Sequence, residues 1–129
     1  MPKVLLIEDN KVLRFANERI LTKAGYTVIC AVDGEDALHR IYLERPDLVL
    51  LDMLLPKVSG PDVLRALKSD PATAAIPVVV LTSLSQKNEK KLRDEGAAAF
   101  IEKGWLIDNP QSLVDTIQRT LNVHRAQSA

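Results

Sequence analysis

The stretch KVLLIEDN at residues 3–10 runs apolar and then stops on two adjacent acids, Glu8 and Asp9. Neighbouring carboxylates repel, and bringing them out of water is costly, so a buried strand that ends on them needs a reason. A third acid, Asp52, follows the apolar run Leu48–Leu51; Thr82 and Ser83 follow Val78–Leu81; Lys103 stands just past Ala98–Ile101. Brought together, these residues would form a cluster of carboxylates, hydroxyls and one ammonium. Carboxylates within about 4–6 Å of each other repel by on the order of several kcal/mol per pair at an effective dielectric near 20. A divalent cation and the ammonium would compensate such a cluster. All-oxygen donors with room for water suit Mg2+, with Mn2+ as an alternative, better than zinc, and no histidine or cysteine is placed to ligate. Taken singly, each residue has a plainer reading: a solvated turn acid, a helix-starting threonine, a surface lysine.

Whether these side chains meet depends on the elements that carry them. Short β-branched or Leu-rich runs, Val4–Ile7, Tyr26–Val32, Leu48–Leu51, Val78–Leu81 and Ala98–Ile101, alternate with segments of helical period. Asn10 is placed to cap a first helix with Val12, Leu13, Ala16, Ile20 and Leu21 on its apolar side and Gly25 just past its end. Asp33 caps a second, with Ala37, Leu38 and Ile41 inward, ended by Arg45-Pro46. A third follows Gly60 with Val63, Leu64 and Leu67, and a fourth, the charged Ser85–Glu95, closes at Gly96. A fifth opens at Asn109-Pro110 and buries Leu113, Val114, Ile117 and Leu121.

Strict strand–helix alternation with continuously apolar strands predicts an α/β fold, a doubly wound five-stranded parallel sheet covered by five helices. Right-handed crossovers leave 2-1-3-4-5 as the natural strand order, flavodoxin-like in kind. Ligands of such sheets bind past the carboxyl ends of the strands, at the switch point between strands 1 and 3. Glu8, Asp9 and Asp52 converge there, while Asp33, at the end of strand 2, is left as a helix cap.

At 129 residues the chain suits one domain, and 47% apolar with 26% charged content is that of a globule. Seventeen basic residues balance seventeen acidic ones, so no global charge draws the chain to nucleic acid or anionic lipid. The lone Cys30, in the apolar run TVICAV, reads as a buried, inert thiol, consistent with a reducing compartment. With no leader-like segment and no apolar stretch long enough to span a membrane, a cytoplasmic location is expected. His39 and His124 lack acidic neighbours and read as surface histidines.

The pieces LLIEDN, PDLVLLDMLLPKVSG, IPVVVLTS and AFIEKG, in this order and spacing, resemble the receiver domain of bacterial two-component response regulators across essentially the whole chain. The resemblance, most of all to stand-alone chemotaxis-type receivers, implies a phosphoacceptor domain over residues 1–123 with a frayed tail at 124–129. It implies that Asp52 takes a phosphoryl group from a phosphohistidine on a sensor histidine kinase or phosphotransfer protein. Glu8 and Asp9 would hold Mg2+ together with Asp52 and the backbone carbonyl of Leu54. Thr82 would bond a phosphoryl oxygen and Lys103 would pair with the phosphate. Phe100 would turn inward after Thr82 moves, changing a surface of helix 4, strand 5 and helix 5 that binds a downstream protein; the other reading of Phe100 is a permanent core aromatic. Such a chain is a switch in a histidine-to-aspartate phosphorelay rather than an enzyme.

Several positions depart from the family pattern. Gly104 stands where a proline usually follows the lysine, so a trans Lys103–Gly104 bond and an altered loop are expected. Leu55 replaces a usual methionine, and Ser83 replaces the family's common alanine or glycine and could narrow access to the phosphate. Leu54 and Leu84 flank the path of an attacking water in this family and cannot orient one, which implies slow self-dephosphorylation. Trp105, Leu106 and Ile107 either pack on the last helix or offer a docking or homodimer surface. Two other classes compete. A haloacid-dehalogenase-like phosphohydrolase needs an acid two residues after its nucleophile, where this chain has Leu54; a flavodoxin-like cofactor binder needs a phosphate loop after strand 1, where EDNKV offers two acids.

Overall fold

The computed structural model describes residues 1–82 and 89–128. Five strands, β1 (Lys3–Ile7), β2 (Thr27–Ala31), β3 (Leu48–Asp52), β4 (Val78–Thr82) and β5 (Ala99–Glu102), alternate with helices α1 (Lys11–Lys23), α2 (Gly34–Glu44), α3 (Gly60–Ser69) and α4 (Glu89–Asp94). Two further helices, α5 (Lys103–Asp108) and α6 (Gln111–Ser128), follow β5. The strands form one parallel sheet in the order β2-β1-β3-β4-β5, as expected.

Both faces of the sheet are apolar, which is why β3 and β4 carry no polar residue before their last position. One face packs Leu5, Ile7, Val49, Leu51, Val78 and Val80 against Ala37 and Ile41 of α2, Val63, Leu64 and Leu67 of α3 and Leu92 of α4. The other packs Val4, Leu6, Leu48, Leu50, Val79 and Leu81 against Leu21 of α1 and Leu113, Ile117 and Leu121 of α6. Each fully buried leucine of this kind contributes about 1.5–3 kcal/mol relative to exposure, so the central strands are the rigid base of the molecule.

Local chemistry sets the helix ends. Asn10 accepts the Leu13 N–H, Asp33 the Asp36 N–H and Ser59 the Asp62 N–H, three side-chain caps that each start a helix immediately past a strand or loop. Gly25 takes a φ of 98° past the end of α1, a left-handed conformation open to glycine at no steric cost.

The structure corrects four expectations. Six helices, not five, occupy the described residues, because the segment after Lys103 coils into α5. Without a proline after Lys103 nothing breaks the helical turn, and the Glu102 carboxylate caps it by accepting the Gly104 N–H at 3.0 Å. The Lys103–Gly104 bond is trans, as expected. Second, α6 continues through Ser128, where a frayed tail from residue 124 was expected: VHRAQS holds neither glycine nor proline, and Arg, Ala and Gln are good helix formers. Third, Val12 and Ala16 face solvent on α1, whose buried residues are Asn17 and Leu21; the apolar stripe is narrower and rotated from the one that hydropathy suggests. Fourth, Cys30 is half-buried rather than enclosed, since β2 is an edge strand; its thiol donates to Glu18 Oε2 at 3.3 Å, and burial, then Glu18, pushes it up to about 12. The expected start of the fourth helix at Ser85, and the expectations on Ser83 and Leu84, lie outside the described residues.

Candidate functional site

Parallel register brings the carboxyl ends of β1, β3, β4 and β5 level. Ile7 pairs with Leu51, Asp52 with Leu81 and Thr82 with Glu102, so the residues just past each pairing share one rim. Glu8, Asp9 and Asp52 each direct a carboxylate oxygen into a group spanning no more than 4.8 Å. Glu8 is fully buried, Asp52 and Thr82 are almost so, and Asp9 is exposed. The predicted convergence is present in full for the acids.

Lys103 completes the cluster. Its Nζ lies 2.8 Å from Asp52 Oδ2 and 3.3 Å from Glu8 Oε1, a single ammonium between two buried carboxylates. Burial by itself lowers a lysine's affinity for its proton. Here the bond to Asp52 and the charges of Asp52 and Glu8 outweigh burial, and the Lys103 pKa ends above the ordinary value. Glu8 shifts the other way from a normal acid: burial first, then the adjoining Asp52 carboxylate, push it up to about 7, against the pull of Lys103 and the Asn10 N–H.

The backbone holds the acids in place. Asp52 Oδ1 accepts the Leu54 N–H at 3.1 Å, and Glu8 Oε2 accepts the Asn10 N–H at 3.3 Å. Arg14, on the first turns of α1, donates to the carbonyls of Glu8 at 3.0 Å and Asp9 at 3.3 Å, tying the β1–α1 turn together. The sequence reading missed Arg14; its only signal was a cation one helical turn past Asn10. Missed as well was the brace on the loop after Asp52. Gly34 at the start of α2 lies so close to Val58 that a β-carbon would collide with its carbonyl, and a β-carbon on Gly60 would sit 2.7 Å from the Asp52 carbonyl oxygen. Lys57 adds an ion pair to Asp33 at 3.6 Å. Asp33 thus stands apart from the three acids as expected, and its cap to the Asp36 N–H holds its pKa below the usual carboxylate value.

Other predicted residues sit at the margin. Phe100 is half-buried on β5, packed against the core, with the Arg93 guanidinium 4.9 Å from its ring centre. Leu54 is 64% exposed, outside the core. Trp105 and Ile107 are exposed, whereas Leu106 packs against the core.

The donor set fits a hard dication. All three side chains offer oxygen, and Glu8 Oε1 is fully enclosed without a hydrogen-bond partner, its contact with Lys103 being an ion pair off hydrogen-bond geometry. A buried carboxylate oxygen left in that condition is costly, and a cation ligand would satisfy it.

Residues 4–118 match the family model described as the response regulator receiver domain. The chain belongs to that family of two-component receivers. Among its relatives is a gliding motility regulatory protein of Myxococcus xanthus, 42% identical over 106 residues that make up 81% of this chain. The matched region is only 14% of that relative's length. A putative response regulator from Chloroflexus aurantiacus is 30% identical, covering 94% of this chain and 98% of its own, with a TM-score of 0.86. The Mn(2+)-bound form of response regulator Rcp1 is 28% identical over 80% of this chain and 81% of its own, with a TM-score of 0.74. Among the described residues no helix is long and apolar enough to cross a membrane.

Proposed function

We propose that this chain is a phosphorylation-activated receiver in a histidine-to-aspartate phosphorelay, with Asp52 as the phosphoacceptor. The observation that carries the reading is the clamp of Lys103 on Asp52 at 2.8 Å, beside two further acids, at the switch point of the sheet. In the proposed step an Asp52 carboxylate oxygen attacks the phosphorus of a phosphohistidine on a kinase or phosphotransfer partner. The P–N bond breaks and the imidazole leaves with the electron pair, which it protonates from solvent. The Leu54 N–H on Asp52 Oδ1 fixes the carboxylate's rotation, so the opposite oxygen is the one Lys103 touches. Lys103 then follows the new charge on phosphorus, and the Thr82 hydroxyl donates to a phosphoryl oxygen. When bound, Mg2+ or Mn2+ would be held by Glu8, Asp9 and Asp52, with the Leu54 carbonyl as a fourth ligand, and would supply charge neutralisation on the phosphoryl oxygens; that a similar response regulator is Mn2+-bound supports a metal in this family.

Movement of Thr82 toward the phosphate would draw Phe100 inward and reshape the surface of α4, β5 and α6, where a downstream protein or a second copy of the chain would dock. A cytoplasmic setting and slow self-dephosphorylation complete the reading. Leu54, two residues past Asp52 and exposed, would screen the acyl phosphate and offers no group to orient water. Leu54→Asn and Leu84→Glu are therefore expected to speed decay of the phosphorylated chain; unchanged decay would defeat the shielding account. The function itself is tested by incubating the chain with acetyl phosphate and following intact mass. One phosphoryl group is expected with Mg2+ and none with a chelator or in Asp52→Asn. Equal labelling in Asp52→Asn would overturn the assignment.

A further inference from the structure

At the opposite end of the sheet from the acids, a cleft of about 660 Å3 opens at the amino-terminal ends of β4 and β5. Its walls carry cations from three helices, Lys68 of α3, Arg93 of α4 and Arg119 of α6, with His124 of α6 beside them. Among the described residues no carboxylate lines it. Thr116 and Thr120 also line it, as does Phe100 beside small apolar residues. Lys68 is half-buried: its ammonium donates to the carbonyls of Ala74 at 3.0 Å and Ile76 at 2.8 Å, which uses two of its three N–H donors. Among the described residues neither Lys68 nor Arg119 pairs with a carboxylate. Lys3, Arg40, Lys57, Arg65 and Lys103, by contrast, each pair with an acid. Lys68 and Arg119 are therefore brought into one concavity, with no carboxylate paired to either among the described residues, in a chain whose formal charges balance.

We infer that this cleft binds a nucleoside phosphate, with the phosphate met by Lys68 and Arg119 and the ring system lying against the Phe100 wall. Lys68 and Arg119 together favour an anion, and the volume lies in the range of clefts that hold small organic ligands, far more than a bare phosphate fills. Arginine and lysine in one cleft suit phosphate oxygens, and an aromatic wall with a guanidinium stacked on it suits a flat base. The site is separate from the acid cluster and does not depend on the phosphotransfer reading.

The test is a titration of the isotope-labelled full chain with ADP, adenosine and inorganic phosphate in chelator, followed by amide NMR shifts. Saturable shifts with ADP are expected at Ala98, Ala99, Thr116 and Thr120, with none at Glu8, Asp9 or Asp52. Arg119 is exposed on α6, so Arg119→Glu is expected to keep the fold, checked by an unchanged melting transition, and to weaken ADP binding about ten-fold or more. Lys68→Gln, a second variant, is expected to weaken it as well. Absence of saturable shifts, shifts confined to the acid cluster, or full affinity in Arg119→Glu would overturn the inference. Adenosine binding as tightly as ADP would remove the anion site, and phosphate binding as tightly as ADP would remove the nucleoside.

Discussion

At the scale of single residues, the molecule spends one ammonium on two buried carboxylates. Removing that ammonium in Lys103→Met leaves Asp52 and Glu8 facing each other at low dielectric. The metal-free protein is expected to lose about 2–4 kcal/mol, read by urea denaturation, and Mg2+ is expected to restore part of it. Glu8 gives the matching pH dependence. Its carboxyl titrates at about 7 in the fold against 4.5 when unfolded, so folding favours the protonated form. Stability from this group is fully present below about 4.5 and is lost as pH rises through 7. Asp52, Asp9 and Lys103 face Glu8, and the Asn10 N–H donates to it. Between pH 5 and 7 the metal-free chain should therefore melt at falling temperature, while Glu8→Gln should show a flatter profile. The affinity for Mg2+, read by Trp105 fluorescence, should rise over the same interval as the proton leaves. A flat profile in both proteins would remove Glu8 from the account.

At the scale of elements, the sheet places the acids and the glycines keep the following loop in contact with it. Gly60 begins α3 against the backbone of Asp52 and Met53, where a β-carbon would lie 2.5 Å from Met53 Cα. Since backbone has to move to admit that carbon, Gly60→Ala is expected to destabilise the fold by about 2–3 kcal/mol. In the folded fraction it should also slow phosphorylation, because the displaced atoms include the Asp52 carbonyl. An unchanged urea midpoint would show that the loop yields easily. A milder change checks the caps. Asn10→Ala removes one side-chain bond at the start of α1 and is expected to cost about 1 kcal/mol.

At the scale of the whole molecule, the sheet order and the meeting of Glu8, Asp9, Asp52 and Lys103 were legible because continuous apolar strands admit few topologies, and the resemblance to receivers selected the order 2-1-3-4-5 among them. Once the order is known, the residues at the strand ends are neighbours by register alone. What was illegible depended on packing between elements distant in sequence. KGWLID carries no strong helix signal, and only the Glu102 cap and the absence of proline make it helical. Val12 and Phe15 are apolar yet exposed on α1, while the polar Asn17 is buried, so hydropathy turned the helix wrongly. Gly34 and Gly60 could not be read as a brace, since the partners that crowd them lie across a turn or on another strand. The basic cleft was hidden for the same reason, its cations coming from three separate helices.

The central claim is that Asp52, at the rim where three acids and a lysine meet, is the group that takes phosphorus. Phosphorylating the chain with acetyl phosphate and Mg2+, trapping the acyl phosphate with borohydride and sequencing the peptides by mass tests it directly. The account predicts reduction to an alcohol at position 52 alone. A reduced residue at any other acid, or unreduced carboxyls throughout a phosphorylated sample, would contradict it.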